Sequence, residues 1–420
     1  MKVIPNMIQT LAFGYAGISI FAAACIGHVF THVLLRRRQR LLQICSAGVA
    51  QSQCLNHARY KNFLIKGLVH IVKRFRTKKP SAQPLRFLIV STTGLGDTLW
   101  GTPALRALKE KFPDAYIGVL TSPIGYEVLQ NNPHVDERFL LKRSSFTCFL
   151  ILYFKLKRKN IDTVLIFHAS QRAVLPLCFF IGAQTLIGTQ GINKGLDFIL
   201  THPVEHKPVH EIERRLELID KVGANASNPL LELYLSDEDK RAADQFMKDN
   251  GIPDYIPVVG LHPGSKDKFK RWPAENFIEI GNRLKEHLGC QILISGNAFE
   301  KDLVERIARN IPGSIALQGQ LPLRSVAALI GKMSLMISND TGPMHVAFSM
   351  QTPTVAIFAP TDPRLCGPYY ASKVKVVEKQ TTCSPCLRKK CQDPFCLLQI
   401  GMQEVYDEAL KLFYNKKGKL

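Results

Sequence analysis

Met333-Ser334-Leu335-Met336-Ile337-Ser338-Asn339-Asp340-Thr341-Gly342-Pro343-Met344-His345-Val346-Ala347-Phe348 is the stretch on which the reading of this chain turns. Its first five residues are a short apolar run of the kind that forms a buried strand, and Val346-Ala347-Phe348 opens a helix. Between them Asp340 and Thr341 are cap-type residues and Gly342 lets a ligand come close to the backbone. Pro343 suits a first helical turn, where its missing N–H costs nothing. The free amides of such a turn, with the helix dipole behind them, suit an anion and most naturally a phosphate. Alone, the loop reads first as an ordinary capped helix.

Working outward, strands are expected at 257–262, 291–295 and 353–358, with helices at 273–288, 299–310 and 323–331 between them. Upstream a similar alternation runs through strands at 85–91, 116–120, 135–140 and 162–167, with helices at 98–111 and 146–157; 174–180 and 185–187 continue it. A helix at 210–222, and a strand then a helix within 230–251, connect the halves. Strand–helix alternation predicts an α/β fold of two doubly wound, Rossmann-like parallel sheets facing a cleft. Ligands in such sheets bind at the carboxyl ends of the strands.

Two more loops leave strand ends. Thr93-Gly94-Leu95-Gly96-Asp97-Thr98-Leu99-Trp100-Gly101-Thr102-Pro103 has glycines at a spacing that misses the dinucleotide fingerprint. Asp97 there reads either as a helix cap or as a general base taking a proton from a hydroxyl nucleophile. His262-Pro263-Gly264-Ser265-Lys266-Asp267-Lys268-Phe269-Lys270-Arg271-Trp272-Pro273 carries four bases before a helix start, which suits a pyrophosphate. A solvated basic loop is the competing reading.

The 420 residues, 46% hydrophobic, can bury two domains and exclude a disordered protein. The net charge of +21 is concentrated at the front, where residues 1–100 hold 14 bases and the single acid Asp97. Residues 11–35 are free of formal charge and end in Arg36-Arg37-Arg38-Gln39-Arg40. A helix of that length could cross a hydrocarbon core of about 30 Å. A basic cluster after the apolar run is the wrong order for a cleaved signal peptide, and the positive-inside rule keeps the bulk of the chain cytoplasmic. The expectation is a membrane-anchor helix, with an interfacial helix as the alternative. The partners are then a membrane and no nucleic acid, since the basic segment adjoins an apolar span and has few interleaved aromatics. Residues 41–84 read as a basic amphipathic segment and linker.

Cys383-x2-Cys386-x4-Cys391-x4-Cys396 lies in a Lys-rich tail. Four close cysteines can ligate zinc, but the paired CxxC knuckles are missing, so structural zinc and reduced thiols both stand. A helix follows at 402–414.

Taken in order, Gly96-Asp97-Thr98 with Thr102-Pro103-Ala104-Leu105, His262-Pro263-Gly264-Ser265 with Lys270-Arg271-Trp272-Pro273, Asn339-Asp340-Thr341-Gly342-Pro343-Met344-His345 and Pro353-Thr354-Val355-Ala356-Ile357-Phe358 resemble glycosyltransferase family 9, the ADP-heptose:lipopolysaccharide heptosyltransferases. The resemblance covers about residue 85 to the C-terminus and leaves 1–84 untouched. It implies a GT-B fold, with an acceptor domain at 85–228 and a nucleotide-sugar donor domain at 229–420. It implies inverting transfer of a heptose from ADP-heptose to a hydroxyl of a lipid-linked core oligosaccharide, with no metal or other cofactor needed for catalysis. Asp97 matches the family's base, and Gly94, Gly96 and Thr98 form the acceptor-side loop around it. Lys270 matches the lysine that meets the donor phosphate. Ser265, Asp340, Thr341, Gly342 and His345 match donor-binding positions. Glu300 takes the place of the acidic contact to the donor ribose, although Ala298-Phe299 intervenes after the strand. With the N-terminal anchor, the implied location is the cytoplasmic face of the inner membrane. Two alternatives remain: the same fold using another nucleotide sugar and glycan, and a catalytically silent, membrane-tethered sugar-nucleotide binder.

Overall fold

The structure, a computed structural model, describes residues 62, 65–67, 69–70, 86–142, 146–379, 383, 386, 391 and 395–417. The expected anchor at 11–35 and most of the basic segment at 41–84 lie outside these residues. Among the described residues no helix is long and apolar enough to cross a membrane.

Two compact units make up the chain. The first takes in residues through Val90, Asp114–Leu120 and Phe139–His206, and the second Ser91–Pro113, Thr121–Arg138 and Lys207–Leu420. The sequence boundary at 228/229 follows chain order; this division follows contact instead. The helices that leave the ends of the first two strands therefore count with the second unit.

The first sheet comprises β1 (Arg86–Ser91), β2 (Tyr116–Thr121), β3 (Glu137–Leu140), β4 (Thr163–His168), β5 (Thr185–Thr189) and β6 (His202–Val204), in the order β3-β2-β1-β4-β5-β6. Leu88, Val90, Leu120, Val164 and Ile166 face a core closed by Leu152 and Leu156 of α4 (Phe146–Lys157) and by Val174, Leu177 and Cys178 of α5 (Val174–Phe180). Val69, from the end of the basic segment, is buried in the same core.

The second sheet comprises β7 (Val258–His262), β8 (Gln291–Ser295), β9 (Ile315–Leu317), β10 (Leu335–Asn339), β11 (Thr354–Phe358) and β12 (Val374–Glu378), all paired in parallel in the order β12-β11-β10-β7-β8-β9. Each sheet thus repeats the doubly wound order 3-2-1-4-5-6, and β7 and β10 flank the point where the second order reverses. Strands β7, β10 and β11 are wholly buried, as continuous apolar runs covered on both faces should be. Residues alternate between two cores. Val259, Leu261, Ile337 and Ile357 meet Phe277 and Leu284 of α8 (Ala274–Leu288) and Val405 and Leu412 of α14 (Met402–Lys417). On the other face Val258, Met336 and Phe358 meet Met247 of α7 (Asp237–Asp249), Leu329 of α10 (Leu323–Lys332) and Val346 of α11 (Gly342–Ser349).

Several expectations need correction. The helix expected at 98–111 is two, α1 (Leu95–Leu99) and α2 (Thr102–Lys111), parted at Trp100-Gly101. The strand expected at the head of 230–251 is absent, and the segment is held against α2 instead. Thr102 Oγ1 accepts from Glu232 N at 3.0 Å, and Arg106 reaches the Glu232 carboxylate and the Asn228 carbonyl. Strands β6, β9 and β12 were not expected at all; they are short or partly exposed edges with weak patterns.

Candidate active site

The candidate site is built within the second unit, from loops at the carboxyl ends of β7 and β10 together with α1 and α6 (Glu211–Asp220). Asn339, fully buried at the end of β10, ties the loops together. Its Oδ1 accepts from Trp272 N at 3.2 Å and its Nδ2 donates to the Pro263 carbonyl at 2.8 Å. Trp272 is pinned in turn by Nε1 donating to the Ile400 carbonyl at 2.9 Å.

Asp340 follows, nearly buried, and its Oδ2 accepts from Lys270 Nζ at 2.5 Å and from Thr361 Oγ1 at 2.6 Å. One ammonium N–H is used there and two have no partner among the described residues. Thr341 caps α11 without a side-chain bond to its amides, so the helix N-terminus keeps its donors. At Gly342 a Cβ would lie 2.8 Å from Leu95 Cδ2, so only glycine lets α1 pack this closely on α11.

Asp97 occupies the third position of α1. Its Oδ2 accepts from Gly94 N at 3.0 Å and closes the first turn, so Gly94 and not Asp97 is the N-cap residue, and Asp97 completes the cap from inside the helix. Its Oδ1 faces Arg215 Nη2 at 3.7 Å and is half-exposed with the rest of the side chain. Thr98 Oγ1 donates to the Gly94 carbonyl at 3.0 Å, which holds the glycine loop in shape.

Arg215 was not among the residues singled out from sequence. It is completely buried in α6, and Nη1 donates to Glu211 Oε2 at 2.7 Å and to the Glu211 carbonyl at 2.6 Å. Nε and Nη2 have no hydrogen-bond partner among the described residues. The guanidinium carbon sits 5.4 Å from the centre of the Trp100 ring. His210 begins the same helix, with Nδ1 accepting from Ile212 N at 3.1 Å and Nε2 donating to the Gly367 carbonyl at 3.2 Å, and its ring stacks on Tyr369 at 4.6 Å. A basic residue four positions after Glu211 reads as a surface ion pair in sequence, so nothing marked Arg215 as interior.

Three expected donor residues are more enclosed than a contact role suggests. His345 is buried under Gly96, edge-on to Trp100 at 4.9 Å, and its Nδ1 has no hydrogen-bond partner among the described residues. Burial pushes its pKa down to about 4 from 6.5. Glu300 is 3% exposed; Oε2 accepts from Asn297 N at 3.0 Å, and the carboxyl lies where a Cβ on Gly264 would be. Ser265 is buried and its carbonyl accepts from Arg271 Nε at 2.8 Å.

Two predictions arise from these contacts. A Cβ on Gly96 would stand 2.7 Å from His345 Cδ2. Gly96→Ala should therefore cost about 1–3 kcal/mol through overpacking. In thermal unfolding, part of that loss should return when His345 is also replaced by Ala; simple additivity would deny the contact. The second concerns acid. Because the folded pKa of His345 is depressed, the unfolded chain takes the proton first as pH falls. The stability this residue contributes is complete above pH 6.5 and is lost as pH falls through the window towards about 4, on the order of 3 kcal/mol in all. Burial also lowers His210 and His262, with the same sign. The melting temperature should fall across that window, and less steeply in His345→Phe. A flat profile would contradict the assignment.

No disulfide joins the cysteines among the described residues, and no group of three or more His, Cys, Asp or Glu side chains among those residues could hold a metal ion. Cys396 has its pKa raised by burial first, with Cys386 and Cys391 adding to the rise.

A family model described as glycosyltransferase family 9 (heptosyltransferase) matches residues 151–395, more than half of the sequence. The chain belongs to glycosyltransferase family 9. This glycosyltransferase is 24% identical to the lipopolysaccharide core heptosyltransferase OpsX of Haemophilus influenzae, over 68% of its own length and 82% of the relative's. Its fold is similar to that of a family 9 glycosyl transferase from Veillonella parvula, with a TM-score of 0.72 at 23% identity, covering 80% of this chain and all of the other. It is also similar to the Escherichia coli heptosyltransferase WaaC solved with ADP-2-deoxy-2-fluoro heptose, with a TM-score of 0.59 at 19% identity, covering 79% of this chain and 99% of the other. Heptose transfer is the activity of the family, and the two parallel six-stranded sheets agree with its architecture.

Proposed function

We propose that this enzyme transfers a heptose from ADP-heptose to a hydroxyl of the lipopolysaccharide inner core, with inversion, and that Asp97 is the general base. The observation that carries this reading is the packing of α1 on α11. Leu95 covers Gly342 and Gly96 covers His345, so the turn bearing Asp97 and the helix start suited to a phosphate belong to one packed unit. Half-exposed, with one oxygen spent on its own turn, Asp97 keeps the other for an acceptor hydroxyl.

The proposed step is direct displacement at the anomeric carbon. The acceptor oxygen forms the new bond as its proton passes to Asp97, and the bond to the ADP oxygen breaks. The Thr341 and Gly342 amides and the two remaining Lys270 N–H groups stabilise the charge gathering on the departing diphosphate. Asp340 fixes Lys270 and Thr361 through Oδ2, which leaves Oδ1 for a sugar hydroxyl. The ADP-heptose donor is carried over from the family relatives, among them the heptosyltransferase solved with ADP-2-deoxy-2-fluoro heptose. The cytoplasmic face of the inner membrane is the proposed location, reached through residues 11–35 and the basic cluster after them.

Nucleotide titration calorimetry tests the donor assignment. ADP should bind at least about tenfold more tightly than UDP or GDP, a difference of about 1.4 kcal/mol. Asp340→Ala should weaken ADP-heptose more than ADP alone. Equal binding of the three nucleotides, or equal weakening of sugar-bearing and bare nucleotide, would refute the corresponding half of the proposal.

A further inference from the structure

Helix α4 is apolar on two sides. Leu152 and Leu156 are buried in the first unit's core, with Phe149 and Tyr153 packed against it, and these four positions follow the i, i+3, i+4, i+7 spacing of one helical face. The remaining apolar residues should not be needed, yet Ile151 is 57% and Phe154 48% exposed. With Lys155 and Arg158, also exposed, they follow the same spacing around the other side. A helix apolar all round is either enclosed or faces a non-aqueous medium, and this one is enclosed on one side only.

Charge says what the open side suits. Between Glu137 and Asp162 the chain has no acidic residue and seven bases, four of them in the run 155–159. A protein partner or a second copy of the chain would need acidic groups to meet this face. No acid within that stretch could pair it with its own copy. Apolar side chains beside lysines and arginines whose stems can lie along a surface are instead the combination that binds an anionic bilayer.

We infer that the Ile151–Phe154–Lys155 face of α4, with Arg158 just past the helix end, docks on an anionic lipid surface. Ile151 and Phe154 enter the headgroup–acyl boundary while Lys155 and Arg158 stay among the phosphates. The inference rests on this helix alone; it requires neither the heptosyl reaction nor residues 11–35.

The test follows the helix itself, because other segments of the full chain can reach the bilayer independently. Phe154→Trp in the full-length protein provides a probe, read as the difference from the parent, which has only Trp100 and Trp272. Vesicles are made of phosphatidylcholine with or without phosphatidylglycerol, with brominated acyl chains as quencher. With phosphatidylglycerol present, emission from the introduced indole should shift to the blue and lose about half its intensity. On phosphatidylcholine alone, or after Lys155→Glu with Arg158→Glu, most of that quenching should disappear. Ile151→Trp gives a second probe one turn earlier, should the first variant fold poorly. Three results overturn the inference: no quenching on anionic vesicles that do sediment the protein, equal quenching on both vesicle types, or a blue shift without vesicles that grows with protein concentration. The last would assign the face to a second copy of the chain.

Discussion

Asp97→Asn should lower turnover by about 10²–10⁴-fold, the usual contribution of a positioned general base, while leaving donor affinity within about twofold. Asparagine keeps the shape of the side chain, and its carbonyl oxygen can still accept from Gly94 N, so the first turn of α1 survives. What is lost is the ability to take a proton from the acceptor hydroxyl. The expected signature is a fall in kcat with little change in the donor's Kd or in melting temperature. Asp97→Asn with near-parent turnover would remove the residue from the chemistry and leave it as the cap that its bond to Gly94 already makes it.

The second large effect is expected at Arg215. Its guanidinium is enclosed, holds Glu211 on one side and faces Asp97 at 3.7 Å on the other. Arg215→Met fills a similar volume without the charge. Glu211 keeps Arg214 Nη1 at 2.6 Å as a partner, so the loss of stability should be about 1–3 kcal/mol, below the figure for an abandoned buried ion. Turnover should fall by about tenfold or more, because the carboxylate loses the cation that faces it at 3.7 Å and fixes its direction. Arg215→Lys should restore part of kcat, and the donor's KM should hardly move in either variant. A loss shared equally by kcat, KM and folding, with no recovery by lysine, would reduce Arg215 to a structural residue.

The sequence marked the strand ends well. The apolar runs that became β7, β8, β10 and β11 are continuous because both faces of that sheet are covered, and β7 and β10 end where chemistry-bearing loops begin. Three kinds of feature were hidden. Edge strands such as β12 are half-exposed and carry a diluted pattern. Residues 230–235 have the composition of a strand, but they form no ladder and are tied to α2 through Glu232, which meets Thr102 and Arg106, contacts distant in sequence. Within the site, motif position did not reveal depth. His345 and Glu300 lie at donor-type positions, yet one is packed under Gly96 and the other under Gly264. Arg215 shows the reverse: a helix pattern typical of solvent conceals an interior cation beside the proposed base.

Those depths give the motif residues different roles. Asp97, Lys270 and the start of α11 are the groups with unspent valence, whereas His345 and Glu300 pack against Gly96 and Gly264 of neighbouring loops. Substitutions at the second set should act first on stability, as is expected of Gly96→Ala, and only then on rate.

The most direct measurement of the central claim is nucleotide release from a panel of ADP-, UDP- and GDP-sugars in the presence of truncated lipopolysaccharide, with the parent protein and Asp97→Asn side by side. ADP release is expected from ADP-heptose alone, dependent on the acceptor, matched by addition of one heptose to the lipid-linked core, and absent in Asp97→Asn. Release of a different nucleotide, or acceptor-dependent ADP release that persists in Asp97→Asn, would contradict that claim.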